Sequence, residues 1–404
     1  MKFNKWTVAL AAAGVVSLAS AAKAEEKPSA VATALSSTTI SGYVDTSAQW
    51  NFGGPQNVAP YKFDSPSKAD GFNLDVVQLT IAKPLDETPW SAGYRADLWF
   101  GPDANTLGTT STLIHHGTGA SDFAIRQAYI SLNAPVGNGI DFKAGVFDSI
   151  LGYESVESPN DPNYTRSYGH SMEPQTHTGV LATYRFGTAF SVTAGIADTV
   201  GSIINERPFG GVNTSGANMA ESFKTYMASM ALTAPDSMGF LAGSTLYAGF
   251  VNGFSDRAPS PALNNTVIGT GARTSYYIGA TVATPIKELQ LGAAFDYLDL
   301  HGDSVKGQTW SFAGYASYHA TEKLSFHARG EYLKDSDGFF GLASDTVLAA
   351  TGTVQYDLWK NVISRLELRW DHSLAGVPTF GGDIAGAPTQ ENSWMLAANI
   401  IYKF

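Results

Sequence analysis

Nine residues near the end of the chain, "SRLELRWDH", set the tightest limit on what it folds into. Leu366, Leu368 and Trp370 alternate there with Arg365, Glu367, Arg369 and Asp371. Successive side chains of a β-strand point to opposite faces, so one face of this strand is apolar and the other fully charged. A face carrying that much charge belongs neither in a dry core nor in lipid. It needs water or charged partners. The same period of two recurs along most of the chain, and helical periodicity is hard to find.

In "ISGYVDTSAQW", Ile40, Val44, Ala48 and Trp50 share a face with Gly42 and Thr46, opposite Ser41, Tyr43, Asp45, Ser47 and Gln49. In "WSAGYRADLWF", Trp90, Ala92, Tyr94, Ala96, Leu98 and Phe100 oppose Ser91, Gly93, Arg95, Asp97 and Trp99. The final "SWMLAANIIYKF" puts Trp394, Leu396, Ala398, Ile400, Tyr402 and Phe404 on one apolar face, with Met395 and Ile401 as misfits on the polar one. "FNLDVVQLTIAK" is the least regular, because Val76 stands beside Val77.

Two kinds of connection separate these strands. Tight ones lie at 83–89, 133–139, 186–188, 234–239, 284–288, 320–323 and 359–361. Longer segments rich in Gly, Pro, Asn and Ser lie near 51–71, 101–121, 150–175, 198–221, 252–272, 301–307, 335–345 and 373–391. The two kinds alternate, as in an all-β, antiparallel up-and-down barrel with tight turns at one rim and loops at the other. The order predicts about sixteen strands crossing a membrane, both termini on the tight-turn side, at about 24 residues per strand. Trp394 and Tyr402 then sit near opposite ends of a lipid-facing strand, as interfacial aromatics do.

The start of the chain agrees with that destination. Lys2 and Lys5 precede an apolar run from Trp6 to about Ala19, followed by Ala22-Lys23-Ala24. That layout predicts a signal peptide over 1–24, cleaved on export; the run is short for a membrane anchor. A short periplasmic tail over 25–38 and a barrel over 39–404 follow. No cysteine is present, so neither disulfides nor thiolate metal sites support the fold. The net charge of -11 argues against nucleic acid as a partner. With 12% aromatic residues, 41 glycines and a mean hydropathy of -0.06, the composition suits strands of which only alternate residues meet lipid.

From Phe142 to Tyr184 the sequence reads "FKAGVFDSILGYESVESPNDPNYTRSYGHSMEPQTHTGVLATY". A strand ending "GVF" runs into "LGYE", then "SPNDPNYTRSY", then "THTGV", where strand resumes. With "RQAYISL" at 126–132 and the "YKF" ending, this segment resembles the OmpL-like β-barrel porins. The resemblance implies a pore in the outer membrane of a Gram-negative bacterium, with no catalytic residues. The terminal aromatic residue is similar to the signature by which outer-membrane proteins meet the barrel assembly machinery.

The same stretch is shaped by Gly152, Pro159, Pro162 and Gly169. It carries the acids Asp148, Glu154, Glu157, Asp161 and Glu173 around Arg166. It either folds into the barrel as a constriction, through Asp148, Glu154, Glu157 and Asp161, or stands outside as a solvated loop. Lumen-facing charges are expected at Asp45, Arg95, Asp97, Lys143, Arg185, Asp296, Arg329, Glu331, Asp357, Arg365, Glu367, Arg369 and Asp371. Of these, Arg95, Asp97, Arg329, Glu331, Arg365, Glu367, Arg369 and Asp371 are the candidate pore lining. Glu154, Glu157 or Asp161 would face the arginines across a constriction and set up a transverse field; alternatively Glu367 and Asp371 neutralise the arginines locally. Inner aromatics at Tyr43, Trp99, Tyr129, Tyr277 and Tyr315 either stack sugar rings or fill space.

Other chemistry is weakly supported. His115 and His116 either share a metal in a loop or, with only Asp122 as a nearby acid, are exposed loop histidines, and His170 and His177 around Glu173 match no zinc spacing. There is no Gly-x-Ser-x-Gly elbow or phosphate loop, so neither an enzyme nor a cofactor is expected. The expected function is passive diffusion of small hydrophilic solutes or ions through a water-filled channel. Its alternatives are a channel selective for sugars or anions and a plugged scaffold barrel. Expected partners are outer-membrane lipid, the solutes, the assembly machinery and further copies of the chain in a homo-oligomer.

Overall fold

Alternation along the chain is realised as strands that each pair with both neighbours. The computed structural model describes residues 37–404 except 54–58, 60–67, 108–121, 207–208, 213–217, 221–222, 255–271, 302–305, 337 and 383–386. The predicted signal peptide, residues 25–36 of the tail and the His115–His116 pair lie outside the described residues.

The strands are β1 (Thr39–Phe52), β2 (Gly71–Lys83), β3 (Ala92–Phe100), β4 (Phe123–Ala134), β5 (Ile140–Asp148), β6 (Thr176–Arg185) and β7 (Phe190–Ala197). A separate two-stranded ribbon comprises β8 (Phe209–Val212) and β9 (Asn218–Ala220). Then come β10 (Thr225–Thr233), β11 (Thr245–Phe254), β12 (Ala272–Ala283), β13 (Leu289–His301), β14 (Lys306–His319), β15 (Leu324–Asp335), β16 (Thr346–Trp359), β17 (Val362–Ser373) and β18 (Asn392–Lys403). Leaving out the ribbon, sixteen strands close into one antiparallel barrel in chain order, and β18 returns to pair with β1. Closure satisfies the backbone without an open edge, which is what permits a sheet to cross lipid. Among the described residues helices are confined to connections: α1 (Pro102–Leu107), α2 (Tyr168–Met172) and two 3-10 turns, Ser158–Asn160 and Asp236–Leu241.

The seam is registered over its whole length, from Tyr43 opposite Lys403 to Phe52 opposite Trp394. Phe404 extends it by one step: its N–H donates to the Gly42 carbonyl and its own carbonyl accepts from the Gly42 N–H, both at 3.0 Å. A Cβ on Gly42 would come within 2.8 Å of the Phe404 ring, so the glycine is the seat that the terminal aromatic side chain occupies.

The outward face is apolar at half-exposed positions. Leu366 and Ile400 are 52% and 51% exposed, a waste of apolar surface in water and the normal state in a bilayer. Trp370 and Trp394 pair across strands at 5.9 Å, and Phe295, Trp310 and Tyr332 form a chain with ring separations of 6.0 and 5.2 Å. These aromatics girdle the loop rim. Among the described residues no helix is long and apolar enough to cross a membrane; the strands do the crossing.

Sequence and structure part company in three places. The sixth long connection shrinks to 302–305 because β13 and β14 pair as far as His301 opposite Lys306. The tight turn expected at 234–239 extends to residue 244 and contains a 3-10 turn. Trp90 leaves its strand and lies in the turn with φ 62.

The irregular Val76–Val77 pair has a simple cause. Val76 pairs with Asp45 and Leu74 with Thr46, so Asp75 is an extra residue in a β-bulge. A second bulge inserts Arg126 between Gln127, opposite Asp97, and Ile125, opposite Leu98. Bulges re-aim side chains. Both extra residues are charged, and both are buried inside the barrel at the loop end of their strands.

Candidate permeation path and the third loop

The lumen of a sixteen-strand barrel is wide enough for water unless something fills it. Here the third loop, L3 (149–175), does much of the filling. It descends from β5, turns at Ser158–Asn160, crosses through Tyr164–Ser167, and returns through α2 to β6. Ser167 caps α2, its hydroxyl accepting from His170 N–H at 3.0 Å.

L3 is fastened to the wall on both sides of the β1–β18 seam. On one side Glu157 accepts from Arg95 at 2.9 Å, Arg126 at 2.8 Å and Gln78 at 3.1 Å, tying it to β3, β4 and β2. On the other, Glu367 of β17 accepts the consecutive N–H groups of Tyr164 and Thr165 at 2.6 and 3.0 Å. Glu331 of β15 accepts from Tyr168 N–H at 2.7 Å, and Asp371 of β17 from the Tyr168 hydroxyl at 2.9 Å. Arg329 donates to Glu154 at 2.8 Å, to the Thr165 carbonyl at 2.9 Å and to the Thr165 hydroxyl at 2.8 Å. Arg369 donates to the Arg166 carbonyl at 2.6 Å, its guanidinium 5.2 Å from the Tyr168 ring. Charge-assisted bonds of this kind are about twice as strong as neutral ones, and burial raises the cost of losing one partner.

Apolar contacts complete the fit. Tyr164 and Tyr168 pack with Leu333, Val347, Ala349, Met395 and Ala397 of the inner wall. Ile150, Leu151 and Tyr153 join Leu181, Met227, Tyr247, Tyr277 and Tyr315, and the Tyr153 and Tyr315 rings stack at 4.1 Å. Val156 meets the cluster of Tyr43, Val76, Trp99, Ile363 and Ile401. The two apolar misfits of the last strand are thereby explained. Met395 and Ile401 do face inward, but they are fully buried.

The candidate pore-lining residues face the lumen as the alternation requires, and L3 covers most of them. Asp97, Arg329, Glu331, Arg365, Glu367, Arg369 and Asp371 are all at most 4% exposed, against 31% for Arg95. Arg329 also pairs with Glu331 at 2.6 Å and Arg369 with Asp371 at 2.9 Å, so the wall carries its own counter-charges as well. Arg365 is held by neutral acceptors: Gln355 and the carbonyls of Ser158 and Asp161.

The four candidate constriction acids separate. Glu154 touches Arg329 of β15, whereas Glu157 belongs to the wall of β2–β4. Asp161 pairs with Arg166 of the same loop at 2.9 Å. Asp148 is the last residue of β5 and binds Arg126 at 2.7 Å. Loop acids and wall arginines are therefore in contact where they meet, with no open gap between Glu154 and Arg329. His170 lies 3.7 Å from Glu173, and His177 on β6 faces the Thr199 carbonyl at 3.3 Å. Tyr277 and Tyr315 pack as filler against L3, and Trp99 donates to Gln78 at 2.6 Å.

Arg126 is the residue that sequence reasoning missed. Strict alternation sends it to the lipid face, because Gln127 beside it faces inward. An arginine out of phase on a lipid-facing stretch is itself the signal that a bulge must intervene. Lys68 was missed as well; it is buried between Asp75, at 2.7 Å, and Asp103 of α1.

Residues 37–404 match the family described as "Putative beta-barrel porin-2, OmpL-like". The chain is a porin of this family. The barrel of the porin also matches solved structures at low identity. An anion-selective porin from Comamonas acidovorans aligns at 12% identity and TM-score 0.57, covering 91% of this chain and 99% of its own. The outer membrane channel DcaP of Acinetobacter baumannii gives 14%, 0.58, 91% and 97%. Salmonella typhi OmpF in complex with daunomycin gives 13%, 0.56, 91% and 97%. No curated protein matches the porin. The family is one of outer-membrane channels of Gram-negative bacteria rather than enzymes.

Proposed function

We propose that this porin passes small hydrophilic solutes and ions by diffusion, and that L3, seated inside the lumen, sets the width of the passage. The observation that carries the reading is the pair of anchors on either side of the β1–β18 seam: Glu157 on Arg95 and Arg126, and Tyr164–Tyr168 on β15 and β17. A segment fixed at both places narrows whatever path remains. The half-buried Arg95, Lys143 and Arg185 line the lumen toward the tight-turn rim, with Arg185 paired to Asp141. These residues form the vestibule through which a solute leaves. Export through cleavage of residues 1–24, insertion by the barrel assembly machinery and association into homo-oligomers belong to the same reading.

The burial of L3 favours a second reading, a scaffold barrel that never opens. Single-channel recording separates the two. Replacing residues 155–166 with a short glycine linker should raise the conductance of the folded protein several-fold. Equal conductance before and after the replacement would remove L3 from the path, and zero conductance in both would make the protein a scaffold.

A further inference from the structure

Where α2 meets the wall, two acids face each other. The Glu173 carboxyl at the end of α2 and the Asp296 carboxyl on β13 are buried together where the helix packs on that strand. The approach is close: a Cβ on Gly169 would stand 2.2 Å from Asp296 Oδ2, and one on Gly152 would stand 2.6 Å from Glu173 Oε2. A side chain at either position would crowd these carboxyls. Two ionised carboxylates buried together repel each other, so the pair is stable with a proton between them.

We propose that this shared proton latches L3 onto β13, and that alkaline pH releases the loop and opens the channel. The inference rests on the reading that L3 sets the channel's width. The charged neighbours do not substitute for the proton. His170, 3.7 Å away, is held neutral: burial, then Arg166 and Arg329, push its imidazole down to about 3. Arg273 on β12 donates to the Met172 carbonyl and to Ser275. Arg329 is engaged by Glu154 and Glu331, and Arg166 by Asp161. Glu154 and Asp161 add negative charge to the site, Asp148 and Glu173 line one small cavity, and Tyr277 of β12 lies near both acids.

The sign follows from linkage. Burial, then the facing Asp296, hold Glu173 well above its ordinary value of 4.5. With L3 released, Glu173 meets water and ionises near that ordinary value. Docking therefore takes up a proton at any pH above it, and each further unit of pH weakens docking by about tenfold until the docked pair itself ionises. Asp161, buried in the same loop and pushed up to about 7 mainly by that burial, acts in the same direction.

The test is single-channel recording from about pH 5.5 to about pH 9 on wild-type protein, Glu173→Gln, Asp296→Asn and the glycine-linker L3 variant, each shown to be folded by its heat-dependent gel shift. The expected result is a wild-type open fraction that climbs steeply with pH. Glu173→Gln and Asp296→Asn, which take the titrating proton out of the pair, should stay in the low-conductance state throughout. A wild-type open fraction independent of pH overturns the latch, and so does an unchanged pH response in Glu173→Gln. If either occurs while the linker variant still conducts strongly, the latch alone fails. If the linker variant conducts like wild type, L3 as the width-setting element fails with it.

Discussion

Removing the Arg329 guanidinium should release L3 without unfolding the barrel. Arg329 donates to Glu331 at 2.6 Å, Glu154 at 2.8 Å, Thr165 through both its carbonyl (2.9 Å) and hydroxyl (2.8 Å), the Arg166 carbonyl at 3.2 Å and Thr351 at 3.3 Å. Arg329→Met preserves most of the volume and deletes every one of these bonds. Glu331 keeps Tyr168 N–H, and Glu154 keeps Ser167 N–H at 2.7 Å, yet Glu154 loses its buried counter-charge and Glu331 is left with Arg369 alone, at 3.7 Å. Breaking a buried pair by removing one partner costs about 3–5 kcal/mol. That corresponds to roughly two to three and a half powers of ten in the docking equilibrium. The cost falls on the loop, because the ladder bonds of β15 to β14 and β16 are backbone bonds that the substitution leaves in place. The assay is single-channel conductance of the variant after its heat-dependent gel shift shows a folded barrel. The open state should dominate at a pH where wild type is mainly closed. A folded Arg329→Met variant with wild-type conductance and open fraction would refute the reasoning.

Three further outcomes follow from the same geometry. Deleting Phe404 should lower the folded yield far more than deleting Gly338, because Phe404 extends the β1–β18 seam onto Gly42 whereas loop tips tolerate change; folded fractions on a semi-native gel decide it. Changing Arg365 and Arg369 to Ala should shift the reversal potential toward cations at low salt only in the L3-shortened background, since L3 screens both guanidiniums in the intact protein; an equal shift with L3 intact would place them in the open path. Unboiled protein should migrate faster than boiled protein and give a β-rich circular dichroism spectrum, because a closed barrel resists detergent; a helical spectrum would contradict the fold.

The barrel was legible because it is written locally. Each strand declares its two faces by alternation, and each connection declares its rim by turn chemistry, so strand number, direction and lumen face follow without tertiary information. The lapses occur where one residue disturbs the period. Asp75 and Arg126 are extra residues in bulges, and a bulge is recognised only by asking where an out-of-phase charge can go. The inner face was read correctly as charged but expected to be wet. Nothing in the strand "SRLELRWDH" says that Tyr164 and Thr165, some two hundred positions earlier, will present their N–H groups to Glu367. The clue lay in Met395 and Ile401. Apolar residues on a lumen face need a cover, and L3 with its two buried tyrosines supplies it for Met395. The partition of the acids between separate stretches of wall was beyond reach, because it depends on the path of the loop through three dimensions.

The central claim is that L3 sits docked on the wall and governs conduction, and a reversible cross-link tests it most directly. The chain has no cysteine, so an introduced pair can join only with itself. The Cβ position at Gly169 lies 3.6 Å from Asp296 Cβ, inside the range of about 3.5–4.5 Å that a disulfide spans. In the double variant Gly169→Cys with Asp296→Cys, mild oxidation should join α2 to β13 within the folded barrel. The oxidised channel should stay in its low-conductance state at every pH, and adding reductant in the recording chamber should raise the conductance. Failure of the cross-link to form in folded protein, or a conductance indifferent to oxidation and reduction, would contradict the account.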